Sequence, residues 1–423
     1  MKKLLAILLV TAMCAGLAAC SKPAQQSGSE GEGASTTETT SETTDAAPTK
    51  LTLILRGGTY TDVIKAMLPE FEEENNVTCE VLDLAFADLH DKIALDAPNA
   101  KGAYDLIMVD GTWIPEFSEN GVTLDLTKAG FELDDDFIEE VTVAGIGSDG
   151  DVYSVPYFGN VNVLFYNDAL LESAGAEVPT TWEDVLSIAE KVKGTGKNGY
   201  LVRAQAGDNI TSDFLPVLLS HGGWVFDDSG NVTIDTPEFK EALEFYISLK
   251  DAGTIMDKDD IVAAITNGDA ALSLSWPGWY VPEEGGPAHY AVIPSKVSAS
   301  SPEHASSIYG VWFLGVAANS QNPDLSVKLL EYITSKEQQI AGVANGGVPV
   351  RHSAYQDADV IAANPHFEIV YNALQSGVYR PLVVEWTEIT LALGNELDAA
   401  VQGVKTVDQA LADAQAAVEQ IMQ

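Results

Sequence analysis

The chain has 423 residues, 46% of them apolar, and carries 63 Asp and Glu against 22 Lys and Arg for a formal net charge of −41. That length leaves room for two domains with sizeable cores. A surface this acidic repels nucleic acid and anionic headgroups, and it disfavours an anionic ligand unless the binding site is locally basic.

Lys2 and Lys3 open the chain, Leu4 to Val10 form a short apolar run, and Leu17-Ala18-Ala19-Cys20 follows. A basic start, a brief apolar segment and small residues before a cut site make a secretory signal, expected over 1–19. The run is shorter than the roughly 20 residues a membrane span needs. Leu17-Ala18-Ala19-Cys20 resembles the bacterial lipobox, which implies a lipid on the Cys20 thiol and attachment to the cell membrane. Residues 20–49 are then a tether: Ser, Thr, Glu, Gly and Ala dominate, and no large apolar side chain is present to offset ordering entropy. With Cys14 removed and Cys20 lipidated, Cys79 stands alone, so no intrachain disulfide is expected in the folded part.

Leu51 to Leu55 predicts a strand ending at Arg56-Gly57-Gly58. Val63, Ile64, Met67, Leu68 and Phe71 fall on one face of a following helix. Cys79 to Leu82 predicts a second strand, Ala87 to Leu95 a helix, and Asp105 to Val109 a third strand closed by Asp110-Gly111. Strand, helix, strand, helix, strand is the pattern of an open parallel α/β sheet. Such sheets hold ligands beyond the carboxyl ends of their strands, which marks Arg56 to Tyr60 and Asp110 to Trp113. Further on, Val161 to Tyr166 predicts a buried strand, and Thr180-Thr181-Trp182-Glu183 has capping-box spacing. Thr236-Pro237, Asn322-Pro323 and Thr406 to Gln409 each start a helix.

Several segments, taken in order, resemble the family 1 extracellular solute-binding proteins, the sugar-binding group that includes maltose-binding protein. They are Tyr104 to Trp113, Val152 to Tyr157 leading to Tyr166-Asn167, Pro179 to Glu183, Gly222-Gly223 with Asp235 to Glu238, Asn267 to Ala271 before Trp276, Gly310-Val311-Trp312, and Gly347 to Arg351. The resemblance implies a two-lobed, type II periplasmic-binding-protein fold of the α/β class with the ligand between the lobes. It places crossovers near 157–163, 309–314 and 347–353. One lobe is then 50–157 plus 313–347 and the other 160–309 plus 353–423. It further implies a monomeric receptor that hands a carbohydrate to the transmembrane subunits of an ABC importer.

A sugar offers apolar C–H faces to aromatic rings and hydroxyls to polar side chains, so a sugar cleft combines both. The expected ligand contacts are Arg56, Tyr60, Asp110, Trp113, Tyr157, Asn160, Trp276, Trp279, Trp312, Arg351 and Trp386. Trp182 and Trp224 are expected to serve packing. No HExxH, GxSxG or Walker A motif occurs, six His are scattered, and neither cofactor, metal nor nucleic acid is expected. The alternatives are a non-sugar solute such as a polyol, polyamine or amino acid derivative, a surface-sensing role, and a carbohydrate-active enzyme. An enzyme would need two facing carboxylates, of which the expected cleft supplies only Asp110.

Overall fold

The computed structural model describes residues 47–423, so the expected signal peptide, Cys20 and the tether up to residue 46 lie outside the described residues. Local rules account for most element boundaries. The helix Thr59–Asn75 buries Val63, Ile64, Met67, Leu68 and Phe71, the predicted face, and stops at Asn76. Asn76 takes φ 50° and ψ 50°, a left-handed conformation that Asn tolerates better than most residues. The helix Trp182–Lys193 starts with a reciprocal capping box between Thr181 and Asp184, and Trp182 is fully buried behind it. Among the described residues no helix is long and apolar enough to cross a membrane.

Among the described residues, ten strands, numbered along the chain, are β1 (Thr49–Arg56), β2 (Val77–Leu84), β3 (Leu106–Asp110), β4 (Val155–Phe158), β5 (Val163–Asn167), β6 (Asn198–Val202), β7 (Thr254–Ile255), β8 (Ala270–Ser275), β9 (Ala288–Ala291) and β10 (Trp312–Val316). They form two five-stranded sheets, ordered β2-β1-β3-β10-β4 and β7-β6-β8-β5-β9. β1 is parallel to β2 and β3, as the opening pattern predicts, whereas β10 lies antiparallel to β3 and β4. The second sheet repeats the arrangement: β6 is parallel to β7 and β8, and β5 is antiparallel to β8 and β9. Each reversed strand directly follows a passage of the chain from one sheet to the other. Its direction is set by that passage, which the local residue pattern does not encode.

Three segments make the passage side by side. Val161 bridges Tyr309, the Asn162 N–H donates to the Ile308 carbonyl at 3.0 Å, and the Gly310 N–H donates to the Asn160 carbonyl at 3.0 Å. The third member is Val378, parallel to Ile308, with Tyr309 N–H to Val378 O and Val378 N–H to Ser307 O both at 2.9 Å.

The expected third crossover at 347–353 is therefore corrected. That segment stays with the first core, where the Ile138 N–H donates to the Val350 carbonyl at 3.0 Å and the Gly159 N–H to that of Val348 at 2.8 Å. Tyr355, Phe367, Val370 and Leu374 are also buried in the first core; Val378 and Val383 then pack against the second, and Trp386, Ile389 and Leu393 are buried in it. The apolar faces of the short helices Ala358–Ala363 and Phe367–Leu374 decide this, and such faces are indifferent to which lobe covers them.

Candidate functional site

The carboxyl ends of β1, β3, β6 and β8 converge on an open cavity beside the crossovers that spans about 580 Å³, solvent at its mouth included. Its aromatic wall comes from both sheets. Tyr60, just past β1, packs on Phe158 and Trp312 at centroid distances of 4.7 and 5.6 Å. Trp276 and Trp279 flank Pro277-Gly278 after β8, in a turn closed by the Trp279 N–H on the Trp276 carbonyl at 2.9 Å. Gly310 lets the Trp276 indole lie against the crossover, since a Cβ there would come within 2.4 Å of the ring. Asn160 joins the halves: its amide donates to the Tyr60 hydroxyl at 2.8 Å and its carbonyl accepts the Gly278 N–H at 3.0 Å.

The polar wall centres on Arg380, at the end of the third crossing segment. Its guanidinium lies 2.8 Å from Asp110 Oδ1 and 3.3 Å from Asp208 Oδ1, one carboxylate from each side. Burial alone would pull the Arg380 pKa down; the two aspartates outweigh it and raise the value. Asp110 also accepts the Thr112 N–H at 3.0 Å and its hydroxyl at 2.8 Å, so it caps the turn after β3 while facing the cavity. Arg203, one residue past β6, donates to Asn209 Oδ1 and lies over the Trp279 ring at 5.2 Å. Burial lowers the Arg203 pKa. Beneath it, buried Asp213 accepts the Arg203 N–H at 3.0 Å and the Tyr246 hydroxyl at 2.7 Å, and burial pushes its carboxyl up to about 6.

Of the residues singled out from sequence, Arg56, Tyr60, Asp110, Asn160, Trp276, Trp279 and Trp312 line this cavity. Tyr157 does not: its hydroxyl donates to the Tyr60 carbonyl at 3.0 Å from a fully buried position underneath. Trp113 and Trp386 line an adjoining cavity of about 760 Å³, which shares Phe86 and Asp208 with the first. Arg351 is corrected outright. It pairs with Asp134 at 2.7 Å and Asp136 at 3.4 Å, donates to the Thr334 carbonyl at 2.7 Å and covers the Phe137 ring at 3.7 Å, all away from the cleft. In a chain so rich in acids, two local aspartates claim the guanidinium and hold the returning segment to the first core.

Residues 66–369 match the sequence family described as bacterial extracellular solute-binding protein. The chain belongs to this family. Its place is therefore outside the cytoplasm. A probable amino-acid ABC transporter periplasmic-binding protein of Sinorhizobium fredii, y4oP, is 24% identical over 88% of this chain and 89% of its own. The maltodextrin-binding protein MdxE of Bacillus subtilis is 23% identical over 98% of this chain and 96% of its own. Among solved structures, maltose-bound MalE3 of T. maritima superposes with a TM-score of 0.80 at 25% identity, over 88% of this chain and all of the other. A Thermotoga lettingae solute-binding protein bound to α-D-tagatose gives 0.79 at 23% identity, over 89% of this chain and all of the other. The two-sheet architecture is thus the two-lobed type II fold.

In this solute-binding protein, sequence reasoning missed Phe86, Arg203, Asp208, Asn209, Ser212 and Arg380. Arg203 had a usable signal, because the strand-end rule that marks Arg56 applies equally to β6. Phe86 follows β2 by two residues in the same way. Arg380 carries none, lying in an irregular segment whose importance comes only from pairing with Ile308-Tyr309. One cluster of three acids with metal-like spacing occurs among the described residues, Asp125, Asp149 and Asp151. It lies outside the cleft, and Lys128 pairs with Asp125 and Asp151 there.

Proposed function

We propose that this solute-binding protein captures a carbohydrate in the cavity between its lobes and delivers it to an ABC permease. The observation that carries the reading is one wall of indoles, Trp276 and Trp279, facing a polar wall of Asp110, Arg380 and Asp208. Indole faces suit the C–H patches of a sugar ring, and fixed charged donors and acceptors suit its hydroxyls. The names of MdxE, MalE3 and the tagatose-bound neighbour point the same way. A polyol is the second reading, favoured by an Agrobacterium radiobacter neighbour in complex with ribitol at a TM-score of 0.78.

The lobes we assign are 47–158 with 312–374, and 163–307 with 386–423. A ligand touching both drives closure by rotation about the three crossing segments, because only contacts made in the closed state shift the equilibrium. Turnover is not part of this reading: glycosidic cleavage asks for a free proton donor and a separate base, and both cleft carboxylates are engaged by Arg380. The working form is a monomer held to the membrane by a lipid on Cys20. Incorporation of labelled palmitate, abolished by Cys20→Ala, tests the anchor. A thermal-shift panel of mono-, di- and oligosaccharides, polyols and amino acids tests the ligand class, since a ligand bound only by the native state raises the melting temperature. Stabilisation by sugars supports the reading; stabilisation by amino acids alone overturns it.

A further inference from the structure

The charge of the cleft runs against the charge of the chain. A protein with a formal charge of −41 lines this cavity with three arginines and two aspartates. Arg380 takes both aspartates. Among the described residues, Arg56 and Arg203 enter no ion pair: the Arg56 guanidinium donates to the carbonyls of Gly57 at 3.2 Å and Leu84 at 3.4 Å, and that of Arg203 to the neutral Asn209 amide. Asp208 and Asp213 act on Arg203 only through space: the Asp213 carboxylate accepts the Arg203 backbone N–H and the Tyr246 hydroxyl rather than the guanidinium.

The two uncommitted guanidiniums come from opposite sheets, Arg56 closing β1 and Arg203 following β6. Both line the same cavity as Tyr60, and both lower a hydroxyl pKa there that burial raises. Closing the cleft strips water from two guanidiniums that hydrogen-bond only neutral groups, and desolvating an ion costs several kcal/mol in general, offset for Arg203 only through space by Asp208 and Asp213. A ligand bearing one negative charge removes that cost and ties the lobes together.

We propose that the ligand is an acidic sugar, a saccharide bearing a carboxylate that Arg56 and Arg203 grip while its ring lies against Trp276 and Trp279. This deepens the carbohydrate reading and rests on it. A carboxylate fits better than a phosphate monoester, because the three arginines of the lining already have Asp110 and Asp208 among them and Asp213 beneath Arg203, which disfavours a doubly charged guest. Guanidinium also matches a carboxylate in fork geometry.

The test is calorimetric titration of the full chain with D-glucuronate, D-galacturonate and their short oligomers, against D-glucose, D-galactose, the matching neutral oligomers and glucose 6-phosphate. The expected result is a uronate or oligouronide bound at least about 30-fold more tightly than its neutral parent, the range for a desolvated charge pair, with affinity falling as salt is raised. Arg56→Gln and Arg203→Gln should each narrow that gap by about tenfold, with Arg203→Lys between, since it keeps the charge and loses the fork. Arg56 hydrogen-bonds only the backbone carbonyls of Gly57 and Leu84, so its variant remains informative if the loss of Arg203 impairs folding. Neutral parents binding as tightly as the uronates overturn the acidic-sugar proposal and leave the carbohydrate reading standing. Glucose 6-phosphate binding more tightly than glucuronate overturns the carboxylate assignment. Binding of none of these sugars overturns both.

Discussion

Replacing Arg380 with glutamine removes the one side chain that touches a carboxylate from each side of the cleft. Breaking a buried ion pair from one end costs about 3–5 kcal/mol in general, because the other end is left buried and uncompensated. Here the lower end applies. Asp110, whose side chain is 5% exposed, keeps its two bonds from Thr112, and Asp208, at 27%, can turn to water. We expect Arg380→Gln to lower the unfolding free energy by about 3 kcal/mol, read from urea titrations with the slope checked for two-state behaviour. Asp110→Asn should cost less, since Arg380 retains Asp208. The double variant Asp110→Asn/Arg380→Gln should recover about 1 kcal/mol or more of the summed loss, as coupled neighbours do. A loss below about 0.5 kcal/mol for Arg380→Gln, the range of an ordinary surface change, would refute the idea that this triad is a structural clamp.

Gly310→Ala places a methyl within 2.4 Å of the Trp276 ring, so the indole must shift; calorimetry should show at least about tenfold weaker ligand binding, in line with the 1–3 kcal/mol typical of overpacking. Trp279→Ala should weaken binding by about 1–2 kcal/mol through the lost stacking face, while circular dichroism shows the fold retained, because this indole is only partly buried. Asp213 titrates near 6 in the folded protein against an ordinary 3.8, so the native state holds the extra proton between those values and stability falls as pH rises through that window. Asp213→Asn, whose amide oxygen can still accept from Arg203 and Tyr246, should therefore be about 3 kcal/mol more stable than the parent at pH 7 and nearly equal to it at pH 3.5, measured by urea midpoints at each pH.

The opening of the fold is legible because the residues are locally consistent. Leu51 to Leu55, the 63/64/67/68/71 helix face and Asp105 to Val109 each point to one structure, and the strand-end rule then finds Tyr60 and Asp110. The Trp276-Pro277-Gly278-Trp279 turn stands out because two indoles around a turn make poor core. What stays hidden depends on partners distant in sequence. Arg351 reads as a cleft residue until Asp134 and Asp136 are seen beside it, and Arg380 reads as a loop residue until its segment pairs with Ile308. Strand direction is hidden for the same reason: β5 and β10 are reversed by the route of the chain between sheets, and their residues would suit either direction. Trp113 and Trp386 illustrate an intermediate case, since both reach a cleft cavity, but the neighbouring one.

The most direct test of the carbohydrate site is a crystal structure of the protein with its tightest binder from the sugar panel. We expect the sugar ring against Trp276 or Trp279, with its polar groups on Asp110, Arg380, Arg56 and Arg203, and contacts to both lobes. A sugar found outside this cavity, or one held by a single lobe with these indoles untouched, would contradict the account.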